Sequence, residues 1–172
     1  MFIDVDLYAA NKWKRFANYL IDITIFYIFI LISSSLVFII LYFIGNLTGN
    51  FELFYSLEET LNNVNPLLDR IISILLYGLF MFFVEYLSKG RSIGKLITGT
   101  MVITYDAEKP DRNTYLKRNF SRCVPFDQLS FFGAYGWHDK WSRTTVVNKK
   151  EFESAYNNNM SIESLGENIE ND

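Results

Sequence analysis

The dominant pattern in the chain is an apolar stretch from Phe16 to Ile44, in which Asp22 is the single charged residue. At about 1.5 Å per helical residue, this stretch exceeds the roughly 30 Å hydrocarbon core of a bilayer. It is also far longer than the core of a secretory signal, and no small-residue cleavage pattern follows it. We therefore predict an uncleaved membrane-spanning helix from about residue 15 to 44.

Polar residues enter this stretch along one side. Asn11, Arg15, Asn18 and Asp22 are spaced by three or four residues and so share one helical face. An ionisable residue inside a span is costly unless it is paired or hydrated, which makes Asp22 a candidate cation site or proton relay. The alternative is that these groups hold the cytoplasmic part of the protein onto the helices.

A second apolar stretch, Leu67 to Leu87, is long enough to cross the bilayer and carries Glu85 near its end. The loop between the two stretches contains Glu but neither Lys nor Arg, whereas Ser88 to Lys150 is rich in basic residues. The positive-inside rule then places both termini in the cytoplasm, as in a multi-pass protein of the plasma (inner) membrane. Arg15 and Glu85 should lie at similar depth, so we predict that Arg15 pairs with Glu85 or Asp139.

The segment 88–147 predicts a small basic module at the cytoplasmic face. Ser92 should open a short interfacial helix, and Met101 to Tyr105 is strand-like and ends at a turn. The helix predicted from Asp111 to Arg122 is basic and amphipathic, a pattern typical of contact with an anionic leaflet. Its predicted lipid-facing residues are Arg112, Lys117, Arg118 and Arg122. A nucleic-acid partner is not expected, because no recognition motif accompanies these charges.

The remaining segments limit the chemistry. Cys123 to Trp137 is aromatic but short and interrupted, which predicts a re-entrant or interfacial segment. Residues 148–172 are acidic and Asn-rich, which predicts a disordered tail and a domain boundary at residue 147. One cysteine and one histidine leave no basis for a disulfide, a metal site or a cofactor. We expect no enzymatic activity, since no nucleophile–base pattern or paired carboxylates stand out.

Several short motifs together resemble the RDD family of small bacterial membrane proteins. Arg15 and Asp22 match its first helix, Gly90 to Lys95 its glycine turn, and Gly99 to Val102 its following strand. Arg118 and Arg122 match its basic helix, and Asp139 before Thr144 to Val147 matches its closing pattern. The resemblance covers about residues 12–147. It implies that Arg15, Asp22 and Asp139 are the family-motif polar residues, supported by Asn18, Glu85, Ser92, Gly94 and Lys95.

These patterns predict an all-α membrane protein: a two-span hairpin, a basic module of short helices with a strand-like segment, and an acidic tail. Two spans cannot enclose a pore, so a transport role for a small cation or proton requires a homo-oligomer or a partner membrane protein. The alternative function is an accessory, membrane-anchored scaffold whose basic module binds lipid or a partner protein.

Overall fold

The computed structural model describes residues 4–124, 127 and 136–170 of the 172-residue chain. Its helices are a 3-10 helix Val5–Tyr8, α1 (Lys12–Thr48), α2 (Glu52–Asn62), α3 (Pro66–Leu87), α4 (Ile93–Thr98), α5 (Arg112–Ser121), α6 (Trp137–Ser142) and α7 (Lys149–Glu170). Its strands are β1 (Thr100–Thr104) and β2 (Thr144–Asn148). The protein is therefore mostly helical, as predicted, with a small sheet.

The chain divides into two compact units. The hairpin unit is Ile23–Tyr77, and the sheet unit combines Met1–Asp22 with Gly78–Asp172. In the hairpin unit, α1 and α3 meet where the rings of Phe26 and Tyr77 pack edge to face. Helix α2 packs back on α1 through an edge-to-face pair of Phe38 and Phe54.

Helices α1 and α3 are both long and apolar enough to cross a membrane. Both predicted spans therefore exist as helices, and α1 extends beyond its predicted limits at each end. Large apolar side chains such as Leu31 and Phe43 are exposed along α1. Exposure of such side chains to water would be costly. In a membrane, lipid or partner helices can cover them.

The sheet unit is built around two antiparallel strands. Val102 of β1 pairs with Val146 of β2, and Ala9 extends the pairing along the outer edge of β2. The strand predicted at 101–105 is confirmed as β1, but β2 was not predicted. The fold is therefore not purely helical, because the Thr-Thr-Val-Val run after α6 gains its strand hydrogen bonds from β1 and residues 9–10, which are distant in the sequence.

The predicted disordered tail is wrong for the first part of α7. Phe152 is buried against Val5, Met101, Ile103 and Val147, and its ring meets that of Tyr8 edge to face. Burial of this aromatic ring ties the helix to the sheet despite the polar composition around it. The core of the sheet unit consequently continues past the predicted boundary at residue 147.

Two further predictions concern the starts of α4 and α5 and the segment 123–137. Ser92 caps α4 and Asp111 caps α5 by accepting hydrogen bonds from backbone amides, as N-cap residues do. Residues 125, 126 and 128–135 lie outside the described residues, so the re-entrant or interfacial segment predicted at 123–137 stays a prediction.

Candidate functional site

The turn between α3 and β1 brings the chain back against the start of α1. Gly90 has a φ of +88°, which favours glycine, and the Tyr115 hydroxyl lies 2.8 Å from where a Cβ would stand. Ser92 then begins α4 as its N-cap, and Gly99 ends the helix at a φ of +69°. These local features set where α4 begins and ends.

Asp22 of α1 binds the first turn of α4 with both carboxylate oxygens. Its Oδ2 accepts a hydrogen bond from the Ser92 hydroxyl at 2.5 Å, and its Oδ1 accepts one from the Gly94 amide at 2.8 Å. Carboxylates are favoured at helix N-termini, where backbone N–H groups lack partners inside the helix. Asp22, a candidate cation site or proton relay from the sequence, is thus buried and bound by its own chain.

Gly94 is required for this contact. A Cβ at Gly94 would lie 2.6 Å from the backbone oxygen of Asn18 and 3.0 Å from Asp22 Oδ1. Asn18 completes the joint: its amide, oriented to satisfy its neighbours, accepts from the Thr100 hydroxyl at 2.9 Å and donates to the Gly94 carbonyl at 3.0 Å. The glycine of the motif therefore permits backbone-to-backbone packing of α4 on α1.

Glu85 of α3 lies at the centre of a buried charge cluster. Its side chain is fully buried and forms ion pairs with Lys95, with Arg118 at 3.4 Å and with Arg122 at 3.2 Å. The amide of Asn119 also donates to it at 3.0 Å. Three cations from α4 and the α5 region thus converge on one carboxylate.

Asp139 of α6 is the second anionic centre. It pairs with Arg118 and, at 3.5 Å, with Arg15. Arg118 also donates to the Thr144 hydroxyl at 2.7 Å, and Arg15 donates to the Thr145 hydroxyl at 3.2 Å. Arg118 therefore connects the Glu85 and Asp139 centres into one network that reaches β2.

The predicted pairing of Arg15 is confirmed for Asp139 only. The other candidate partner, Glu85, forms its ion pairs with Lys95, Arg118 and Arg122. The similar depth in the membrane expected for Arg15 and Glu85 suggested that pair, but the fold places cations of α4 and the α5 region against Glu85.

The prediction that four basic residues of the α5 region face lipid is wrong for two of them. Arg118 is fully buried and Arg122 nearly so, whereas Arg112 and Lys117 are exposed. The buried side of α5 carries Tyr115, Arg118 and Asn119, followed by Arg122 just beyond the helix. These positions recur every three or four residues, so they lie on one helical face, which is the signal that could have identified them from sequence.

The charge cluster and its burial shift the pKa values of residues that lie outside the two membrane-spanning helices. Burial alone raises the pKa of Asp139, but the charges of Arg118, His138 and Arg15 outweigh it and lower the pKa to about 2. Burial lowers the pKa of Lys95 from its usual value, although the charge of Glu85 opposes this effect. Asp139 is therefore ionised at neutral pH, and Lys95 gives up its proton more readily than an exposed lysine.

His138 was not predicted to take part. Its Nδ1 lies 2.7 Å from Asp127 Oδ2, and its Nε2 lies 3.6 Å from Asp139 Oδ1. Burial lowers its pKa, against the influence of Asp139. The histidine thereby bridges two carboxylates at the edge of the network.

Ten residues singled out from the sequence lie in the network or in the contact between α1 and α4: Arg15, Asn18, Asp22, Glu85, Ser92, Gly94, Lys95, Arg118, Arg122 and Asp139. Within the part of the chain that the structure describes, no three His, Cys, Asp or Glu side chains are grouped so that they could hold a metal ion. The central carboxylates are bound by basic side chains instead. The chemistry that this arrangement provides is ion pairing and hydrogen bonding between buried groups.

Comparison with known proteins gives a family match. No curated protein and no solved structure matches the chain. The sequence profile of the RDD family matches residues 9–144, a range that includes Arg15, Asp22 and Asp139. Because the match covers most of the sequence and two helices are suited to crossing a bilayer, the chain belongs to the RDD family of membrane proteins.

Proposed function

We propose that this chain is an accessory membrane subunit, in which the two-span hairpin anchors a rigid cytoplasmic unit that a partner protein recognises. The observation that carries the proposal is the state of Asp22. Both of its oxygens are bound by Ser92 and Gly94 of the same chain, so the carboxylate acts as a joint between helices. A cation site would need carboxylate oxygens that are open to the ion.

The buried network supports the same function. Removing one member of a buried ion pair strands its partner, typically at a cost of about 3–5 kcal/mol, so the network opposes separation of the elements that it joins. A sheet unit held in this way presents a surface of fixed shape. We expect the partner to be a second copy of the chain or another membrane protein in the plasma membrane, with both termini of this chain in the cytoplasm.

The sheet unit also offers a place for that partner. A cavity of about 510 Å³ lies between β1, the following turn and α7. Its apolar side includes Met101, Ile103 and Phe152, and its charged lining residues are Glu108, Lys109 and Glu153. Residues 151–172 contain acidic residues but neither Lys nor Arg. The partner segment that suits this surface is basic and inserts an apolar side chain.

A matched pair of variants tests this docking. The chain is crosslinked in its native membrane, and the stoichiometric complex is isolated. Glu153→Arg reverses a charge at the cavity and should abolish the complex, whereas Glu151→Arg, an exposed change outside the cavity lining, should preserve it. Equal recovery of the complex with both variants would contradict docking at this cavity.

A second function, transport of a proton or small cation by an oligomer, is favoured by one observation. Hydrogen bonds connect Asp22 through the Ser92 hydroxyl to Lys95 Nζ at 3.3 Å, and Lys95 pairs with Glu85. This line of exchangeable groups could relay a proton, and the lowered pKa of Lys95 favours such exchange.

Reconstitution of the purified full chain into vesicles distinguishes the two functions. The accessory function predicts no proton or cation flux from the wild-type protein and a loss of folded protein in Asp22→Asn. Transport predicts flux from the wild-type protein that Asp22→Asn abolishes while the protein remains assembled. Exposed Asp69→Asn serves as the control for the change of charge.

A further inference from the structure

Helix α4 has an apolar face that no described part of the chain covers. Ile93, Leu96 and Ile97 are 40, 48 and 68% exposed, while Gly94 and Lys95 on the other side are buried. The three apolar residues follow the spacing that places side chains on one side of a helix. An exposed face of this kind needs an occupant.

The buried side of α4 fixes where this face lies. Ser92 and Gly94 bind Asp22 of α1, and Lys95 binds Glu85 of α3. Helix α4 is therefore attached to both membrane-spanning helices at the level of these two carboxylates.

The lengths of the two helices locate that level relative to the bilayer. From Asp22 to Ile44, α1 rises by roughly 33 Å, close to the roughly 30 Å thickness of the hydrocarbon core. In α3, Glu85 lies two residues before the final residue, Leu87. Since α4 binds both carboxylates, we take Asp22 and Glu85 as marking one edge of the hydrocarbon core.

The end of α3 also carries exposed apolar side chains. Phe83 and Leu87, which flank Glu85 on α3, are 52 and 76% exposed. Exposed basic Lys89 follows α3 and precedes α4, a position from which it can reach lipid head groups. The apolar face of α4 therefore lies at the same level along α3 as other exposed apolar side chains that are suited to lipid.

We propose that α4 is inserted into the membrane interface, with Ile93, Leu96 and Ile97 in contact with the acyl chains of bilayer lipid. Helix α4 of the sheet unit then enters the leaflet, in addition to the two membrane-spanning helices of the protein. Lipid packed against α4 then contacts the helix whose residues Ser92 and Lys95 bind Asp22 and Glu85. This inference is independent of the proposed partner, since it concerns a different surface of the sheet unit.

Spin labels on the full chain in lipid nanodiscs test the proposal. With Cys123 replaced by Ser, a single label is placed at Leu96 or at Ile97. Leu7, an exposed leucine of the 3-10 helix, provides the matched aqueous control, and Leu31 in α1 provides the span control. The measurement compares accessibility to oxygen, which enters lipid, with accessibility to a water-soluble nickel chelate.

We expect the ratio of oxygen to nickel accessibility at Leu96 and Ile97 to be severalfold higher than at Leu7 and to approach that at Leu31. Nickel accessibility equal to that at Leu7 would overturn the proposal. Protection from both reagents together with spin–spin broadening would also overturn it, by showing that a second copy covers the face. A photoreactive acyl chain on the unmodified protein provides a check without substitutions: its crosslinks should map to residues 93–97.

Discussion

Among individual residues, Arg118 connects the two carboxylates at the centre of the network. It pairs with both Glu85 and Asp139 and donates to Thr144, while being fully buried itself. A guanidinium group suits this position because its several donors are fixed in one plane and cannot lose their charge. A lysine could contact one of these carboxylates but could not reproduce the geometry toward both.

Arg118→Gln should therefore destabilise the protein strongly. Losing the cation leaves two buried carboxylates with fewer partners, which typically costs about 3–5 kcal/mol. The measurement is thermal unfolding in detergent or nanodiscs. The control is Lys117→Gln on the exposed side of the same helix, where changes are usually within about 0.5 kcal/mol. Equal melting temperatures for the two variants would contradict a structural role for Arg118.

Asp139 gives the fold a dependence on acid. Its pKa is lowered from 3.8 to about 2 in the folded protein, so the unfolded state binds the proton more readily. The resulting stabilisation, about 2 kcal/mol, is fully present above pH 4 and is lost as the pH falls toward 2. Fluorescence of Trp137 and Trp141 should follow this loss in an acid titration. Asp139→Asn should show a shallower pH dependence over the same range, and an unchanged slope would contradict the assignment.

Among the elements, α4 depends on two glycines for different reasons. Gly94 lies against the backbone of α1, whereas Gly99 has open space around it and is needed only for its positive φ. The two positions therefore separate close packing from backbone conformation within a single short helix.

Gly94→Ala should be more harmful than Gly99→Ala. At Gly99 the cost is backbone strain alone, roughly 1 kcal/mol. At Gly94 the added methyl group would displace α4 from Asn18 and weaken the hydrogen bond to Asp22. Unfolding measurements on both variants give the comparison. A smaller loss for Gly94→Ala would show that α4 does not pack closely on α1.

Helix α7 contributes to the core through Phe152. Phe152→Ala should lower the free energy of unfolding by about 3–5 kcal/mol, as is typical for loss of a buried ring. Met160→Ala, at a position 52% exposed on the same helix, serves as the control and should have little effect. If both variants unfolded like the wild type, α7 would not belong to the folded core.

For the whole molecule, the distribution of charge predicts the topology. The loop between the spans lacks basic residues, whereas the segment after the second span is rich in them. In a background with Cys123 replaced, a cysteine at Asn50 should react with a membrane-impermeant maleimide in intact cells. A cysteine at Asn157 should react only after the cells are permeabilised. The reverse pattern would overturn the orientation.

Sequence reasoning worked best where one local property decides the outcome. The length and composition of α1 and α3 predict membrane helices because the bilayer requires long apolar segments with internally satisfied backbones. Ser92 and Asp111 were identifiable as helix starts because an N-cap acts on amides within the same turn. Order and spacing of the motifs likewise indicated the family, which the match over residues 9–144 confirms.

Tertiary structure alone decided how the polar residues are paired. Arg118 and Arg122 read as surface charges because sequence does not show which carboxylates face a helix, and Glu85 and Asp139 lie far from them in the chain. Strand β2 and the burial of Phe152 depend in the same way on contacts between distant segments. Sequence determined which segments suit the membrane, because that depends on side chains close together in the chain. The fold determined that Asp22 is a helix joint, because its partners, Ser92 and Gly94, lie some seventy residues away.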